Sequence, residues 1–126
     1  MSQQKFNPQA NVIVIEAKIK AQLEVTTRLV FDTGASLVML PYQLAREIGI
    51  KIDPTKTVEI TTASTTEISP LSSIPKMSIL GKTATNVPCL IRDLPRTSEA
   101  DGLLGLSFLR HFKLTLDFKK GILSLE

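Results

Sequence analysis

The sequence predicts an all-β fold, a barrel or a sandwich. Three observations carry that expectation. Apolar or alternating runs are short, turn-forming residues separate them about every 8–12 residues, and only two brief stretches have helical spacing. At 126 residues the chain suits one compact domain spanning 1–126, long enough to bury a core without disulfides or metals.

Each element follows from local pattern. Residues 12–20 alternate from Ile13 onward, with Ile13, Ile15, Ala17 and Ile19 on one face and Glu16, Lys18 and Lys20 on the other. Val14 is an apolar exception on the wet side. Residues 25–31, rich in β-branched and apolar types, form a second strand that runs into Asp32. Leu37–Leu40 is a short apolar run ended by Pro41. That proline can open a helix over 41–48, with Leu44, Ala45 and Ile48 at helical spacing and Gly49 as the C-terminal cap. Thr57–Ala63 and Glu67–Leu71 read as partner strands around the polar break Ser64-Thr65-Thr66. Ile74–Leu80 and Val87–Ile91 are further strands about a turn at Gly81-Lys82. Residues 92–100 form a loop, Leu103-Leu104 a buried strand end, and Leu106–His111 a short helix. Leu114–Phe118 and Ile122–Leu125 close the chain as a hairpin. The polar residues 1–10 read as a flexible N-terminal segment.

Composition removes several function classes. Hydrophobic residues at 43% and charged residues at 21% fit a globular protein and exclude disorder. The net charge of +3 is scattered, with no Arg-rich run, so no nucleic-acid partner is expected. No stretch has the length of a membrane span and the N-terminus lacks a secretory apolar region, so a cytoplasmic location is expected and no membrane partner. Cys89 is the only cysteine and His111 the only histidine, which leaves no metal site and assigns Cys89 to the core. His111, near a helix end, has no catalytic assignment, and Asp117 alternates outward from a strand.

The chemistry concentrates in Phe31-Asp32-Thr33-Gly34-Ala35-Ser36. A carboxylate at the end of an apolar strand is followed by a glycine that lets the backbone turn sharply, and by hydroxyls at Thr33 and Ser36 that can brace the loop. A turn-capping aspartate is the plain alternative. About 70 residues later comes a second element, Asp101-Gly102-Leu103-Leu104-Gly105-Leu106-Ser107-Phe108-Leu109. Together the two resemble the retropepsin-like, single-domain aspartic proteases, over roughly residues 12–125. The resemblance implies a closed, acid-protease-like β-barrel of a single lobe with one or two short helices.

It also implies roles. Asp32 is the catalytic acid/base. Thr33 braces the loop across a dimer axis, Gly34 gives substrate access to the backbone, and Ala35 and Ser36 complete the active-site loop. Leu103, Leu104 and Gly105 support that loop. Residues 60–70 form a flap, with Thr62, Ala63, Ser64 and Thr65 meeting the peptide. The expected activity is an endopeptidase whose water-activating Asp pair forms across a homodimer, because this chain carries one Asp-Thr-Gly where the chemistry uses two carboxylates. Peptide or protein is the expected substrate, and no cofactor is implied. The flap segment lacks the glycine common in the family, which motivates the alternative of a catalytically idle peptide-binding or dimerisation module on the same fold. Asp101 is a second candidate carboxylate, without the Thr-Gly context.

Overall fold

The structure, a computed structural model, describes residues 2–61 and 63–126. Ten strands and two short helices follow one another among them: β1 (Ser2–Lys5), β2 (Val14–Lys20), β3 (Glu24–Phe31), β4 (Val38–Leu40), α1 (Tyr42–Ile48), β5 (Thr57–Thr61), β6 (Thr66–Ile79), β7 (Lys82–Ile91), β8 (Gly102–Leu104), α2 (Leu106–Leu109), β9 (Leu114–Asp117) and β10 (Ile122–Leu125). The main sheet has the order β2-β3-β8-β4-β7-β6-β5, and β2 also pairs with β6. That extra pairing closes six strands into a barrel and leaves β5 as an outlying hairpin partner of β6. The fold is the closed all-β barrel with two short helices that the sequence predicts.

The barrel interior is built by alternation. Ile15, Ala17 and Ile19 of β2 are all but inaccessible to solvent, as are Leu29 of β3, Leu40 of β4 and Ile91 of β7. Phe108 of α2 and Ile48 of α1 belong to the same buried core. Pro41 serves as the N-cap of α1 rather than its first residue. Gly49 terminates the helix in the left-handed conformation (φ 84°), as its position predicts.

Three elements differ from the sequence expectation, and the first is the strand expected at 87–91, which begins at Lys82. The strands expected at 67–71 and 74–80 are one 14-residue strand, β6. Ser72, Ser73 and Pro75 suggest a break in sequence, but pairing with β7 on both sides of Pro75 carries the strand through. Opposite Pro75, which has no N–H to donate, Asn86 adopts φ 52°. The segment expected to be flexible at 1–10 contains β1, which pairs antiparallel with β10 in a three-stranded sheet β1-β10-β9. Ser-Gln-Gln-Lys has no apolar period to betray it. The strand exists because β10 offers it a backbone edge.

The element that positions everything else is β8. It pairs parallel with β3 (Val30↔Leu103) and antiparallel with β4 (Met39↔Leu103), so it is threaded between two strands adjacent in sequence. The backbones come so close that a Cβ on Gly102 would lie 1.9 Å from the Met39 carbonyl oxygen. Glycine is required there for lack of space. Gly102→Ala is therefore expected to cost about 3 kcal/mol or more in denaturant unfolding, or to prevent folding.

Candidate active site

β3 ends where the site begins. Its inward residues are Thr27 and Leu29, so Val30 and Asp32 fall on the opposite face of the sheet. The Asp32 backbone is held by its own N–H donating to the Leu104 carbonyl (3.0 Å) and by its carbonyl accepting from Ala35 N–H (3.2 Å). Its carboxylate Oδ1 accepts the Gly34 N–H at 2.9 Å, and Oδ2 has no partner among the described residues. A Cβ on Gly34 would stand 3.1 Å from that Oδ1, so a side chain there would crowd the carboxylate. The loop is thus a tight turn folded around one carboxylate, half-buried, with an oxygen left for other chemistry.

The segment Gly105–Leu109 clamps the loop from below. Leu106 N–H donates to the Ala35 carbonyl (2.9 Å) and Ser107 N–H to the Ser36 carbonyl (3.0 Å). Gly105 is again a site of close approach, where a Cβ would lie 2.4 Å from the Leu37 carbonyl oxygen. In sequence, the hydroxyls placed to brace the loop are those of Thr33 and Ser36. Both residues are exposed, and neither side chain makes a hydrogen bond among the described residues. The bracing hydroxyl is Ser107, buried to 3% exposure. It accepts from Val38 N–H (2.9 Å) and donates to the Pro88 carbonyl (2.7 Å), tying α2, β4 and β7 together directly beneath the loop. A serine between Leu106 and Phe108 offers little signal in sequence beyond being a hydroxyl among apolar neighbours.

The second candidate carboxylate has a different task. Asp101 Oδ2 accepts from Thr27 Oγ1 (2.8 Å) and Arg28 N–H (3.2 Å), and Asp101 N–H donates to the Arg28 carbonyl (2.8 Å). It fastens the start of β8 to β3. Asp32 lies at the other end of that pairing, four residues beyond Arg28 and so about 13 Å away along the strand. The two carboxylates do not share a site within one chain.

Leu103 and Leu104 also part company. Leu104 is in the core, while Leu103 is only partly buried and points to the face that carries Asp32. Register extends that face into a row. Val14 pairs with Val30, Val30 with Leu103, Leu103 with Met39, Met39 with Leu90, and Leu90 with Leu71. Six apolar side chains therefore cross six strands on the outside of the barrel. Val14, the exception to the alternation of β2, is the end of this row.

The expected flap is a hairpin. Thr61 pairs with Thr66, and residues 62–65 connect β5 to β6. Ala63, Ser64 and Thr65 are exposed at its tip, while Thr62 lies outside the described residues.

Cys89 faces the core at 0% exposure, and burial pushes its thiol from 9.0 up to about 12. It is protonated and enclosed, unfit as a nucleophile. No group of three or more metal-ligating side chains occurs among the described residues. No helix among them is long and apolar enough to cross a membrane.

The family model described as aspartyl protease matches residues 15–108, a span that contains both the Asp32 loop and the Gly102–Phe108 segment. Among solved structures, the crystal structure of a retropepsin-like aspartic protease from Rickettsia conorii superposes with a TM-score of 0.70 at 23% identity, covering 98% of each chain. No curated protein matches significantly.

Two outcomes follow for the supporting shell. Ser107→Ala should lower stability by about 2–4 kcal/mol in denaturant unfolding, since it strands a buried N–H and removes a donor from a carbonyl. The Cys89 thiol ionises at 9.0 when unfolded but at about 12 when folded. Its contribution is complete below pH 9 and is lost as pH rises through about 12. Stability measured by urea melts should fall across that window, and less steeply in Cys89→Ala.

Proposed function

Because the chain belongs to the aspartyl protease family, we propose that it is an endopeptidase whose catalytic centre pairs Asp32 with Asp32 of a second copy across a twofold axis. The observation that carries this reading is the Asp32 loop itself. One carboxylate is held at the sheet face by Gly34 N–H and supported by Leu104, Gly105 and Ser107, while the other candidate, Asp101, is engaged elsewhere. Half of a two-carboxylate centre is present in each chain, and C2 symmetry supplies the rest.

In this mechanism the two carboxylates share one proton, because like charges at close range resist joint ionisation, the general behaviour of aspartic proteases. The ionised one takes a proton from water, whose oxygen attacks the scissile carbonyl carbon. The protonated one donates to the carbonyl oxygen as the tetrahedral species forms. Collapse sends a proton to the leaving nitrogen and breaks the C–N bond. Water and carboxylates suffice, and no metal or organic cofactor takes part.

Thr33 is proposed to brace the paired loops across the axis, with Gly34, Ala35 and Ser36 flanking the bound peptide. The hairpin tip, Ala63 to Thr65, is proposed to cover the substrate and exclude water, and Thr62, outside the described residues, is proposed to share that role. The row Val30–Leu103–Met39–Leu90 supplies an apolar floor beside Asp32, which favours apolar side chains next to the cleaved bond.

Asp32→Asn should reduce cleavage of a peptide library by about a thousandfold or more while the sedimenting mass stays that of a dimer. Wild-type activity should trace a bell against pH, the signature of a pair sharing a proton. Full cleavage by the Asn variant, or activity from a monomer, would refute the paired centre. Tight peptide binding with no turnover at any pH would favour the idle binding module on this fold.

A further inference from the structure

Arg92 stands just past the end of β7, yet its backbone N–H still donates to the Leu40 carbonyl at 2.9 Å, so its main chain is fixed beside β4. Alternation along β7 buries Cys89 and Ile91 and turns Leu90 and Arg92 outward, onto the face of the apolar row. There the guanidinium meets the hairpin. Nη2 of Arg92 pairs with Oε2 of Glu67, a residue of β6 that stands opposite Ile60 of β5. The Arg92 side chain is 27% exposed and that of Glu67 52%.

The other terminal nitrogen is the informative one. Nη1 is shut away from solvent and has no acceptor among the described residues. A guanidinium offers five N–H donors, and leaving some of them dry and unpaired is unfavourable where water would serve them. Arg92 is therefore not at its own optimum, and Glu67 is the charged group that holds it in place.

We propose that Arg92 is a positioning residue for the flap: its ion pair with Glu67 draws the return strand of the hairpin onto the sheet face beside the apolar row. The inference rests on reading the hairpin as the flap. Two opposing effects set the latch. Charge attraction favours the closed arrangement, and rehydration of Nη1 favours one in which Arg92 swings to solvent and the strand lifts. Their opposition makes the latch reversible. It also gives a flap whose tip lacks glycine a means of moving as a body, about the base where Leu71 N–H donates to the Lys56 carbonyl at 2.9 Å.

The test is amide hydrogen exchange across 57–61 and 66–71 in the full chain, with steady-state peptide hydrolysis beside it. Arg92→Met and Glu67→Gln should each speed flap exchange by about fivefold while β2 and β3 keep wild-type protection. The reversed pair, Arg92→Glu with Glu67→Arg, should restore slow exchange, which a merely structural loss would not do. Hydrolysis should follow the same pattern, with KM raised by a similar factor in the single variants, kcat little changed, and both recovered on reversal. Unchanged flap exchange in both single variants, or no recovery in the reversed pair, would overturn the latch. If the wild type hydrolyses nothing, that result counts against the peptidase reading, and exchange alone decides the latch.

Discussion

The structure depends on how closely β8 lies against the backbone on both sides of it. At Gly102 and Gly105 there is no volume for even a methyl group, because main-chain carbonyls of Met39 and Leu37 occupy the space. Packing backbone on backbone lets Leu104 reach the Asp32 amide, and lets Leu106 and Ser107 reach the carbonyls of Ala35 and Ser36. The catalytic candidate therefore owes its position to hydrogen bonds from a segment about 70 residues away. The buried hydroxyl of Ser107 serves the same end, linking β4 and β7 through two short bonds at the foot of the loop.

The sheet works with two apolar faces of different character. The inner face is sealed and holds the core. The outer face carries the apolar row from Val14 to Leu71, and that row runs beside the Asp32 carboxylate. Met39 in this row is buried, but Val14, Val30, Leu103, Leu90 and Leu71 stay partly exposed, and apolar surface left in contact with water gains from being covered. Under the proposed activity, an extended peptide covers it. Arg92 lies on this same face, so the charge that meets the hairpin and the row beneath it belong to one surface.

Much of this was legible in the sequence because it depends on local pattern. The alternation of Ile15, Ala17 and Ile19 placed the inner face, and Gly49 marked the end of α1. The Asp-Thr-Gly turn and the later Leu-Leu-Gly are the two motifs that stand out in sequence, and the structure hydrogen-bonds one segment to the other. What stayed hidden depends on partners distant in sequence. β1 is a strand only because β10 presents an edge, and Pro75 sits inside β6 only because β7 continues past it. Leu103 and Leu104 look equivalent in sequence, yet parity in the sheet sends one to the core and the other to the site face. Ser107 and Asp101 acquired their roles from contacts with residues 69 and 74 positions away respectively. Val14 was visible as an anomaly, but its meaning required the register.

The threading of β8 between β3 and β4 has a kinetic corollary. A growing or refolding chain can form the β2–β3 hairpin early, since its strands are joined by three residues. The Asp-Thr-Gly turn that follows has no lasting shape until a segment from the far end of the chain slots in beside it. Closing so long a loop is entropically slow. The carboxylate should thus acquire its fixed geometry among the last events of folding, and a chain interrupted before Gly102 would carry the motif without the means to hold it.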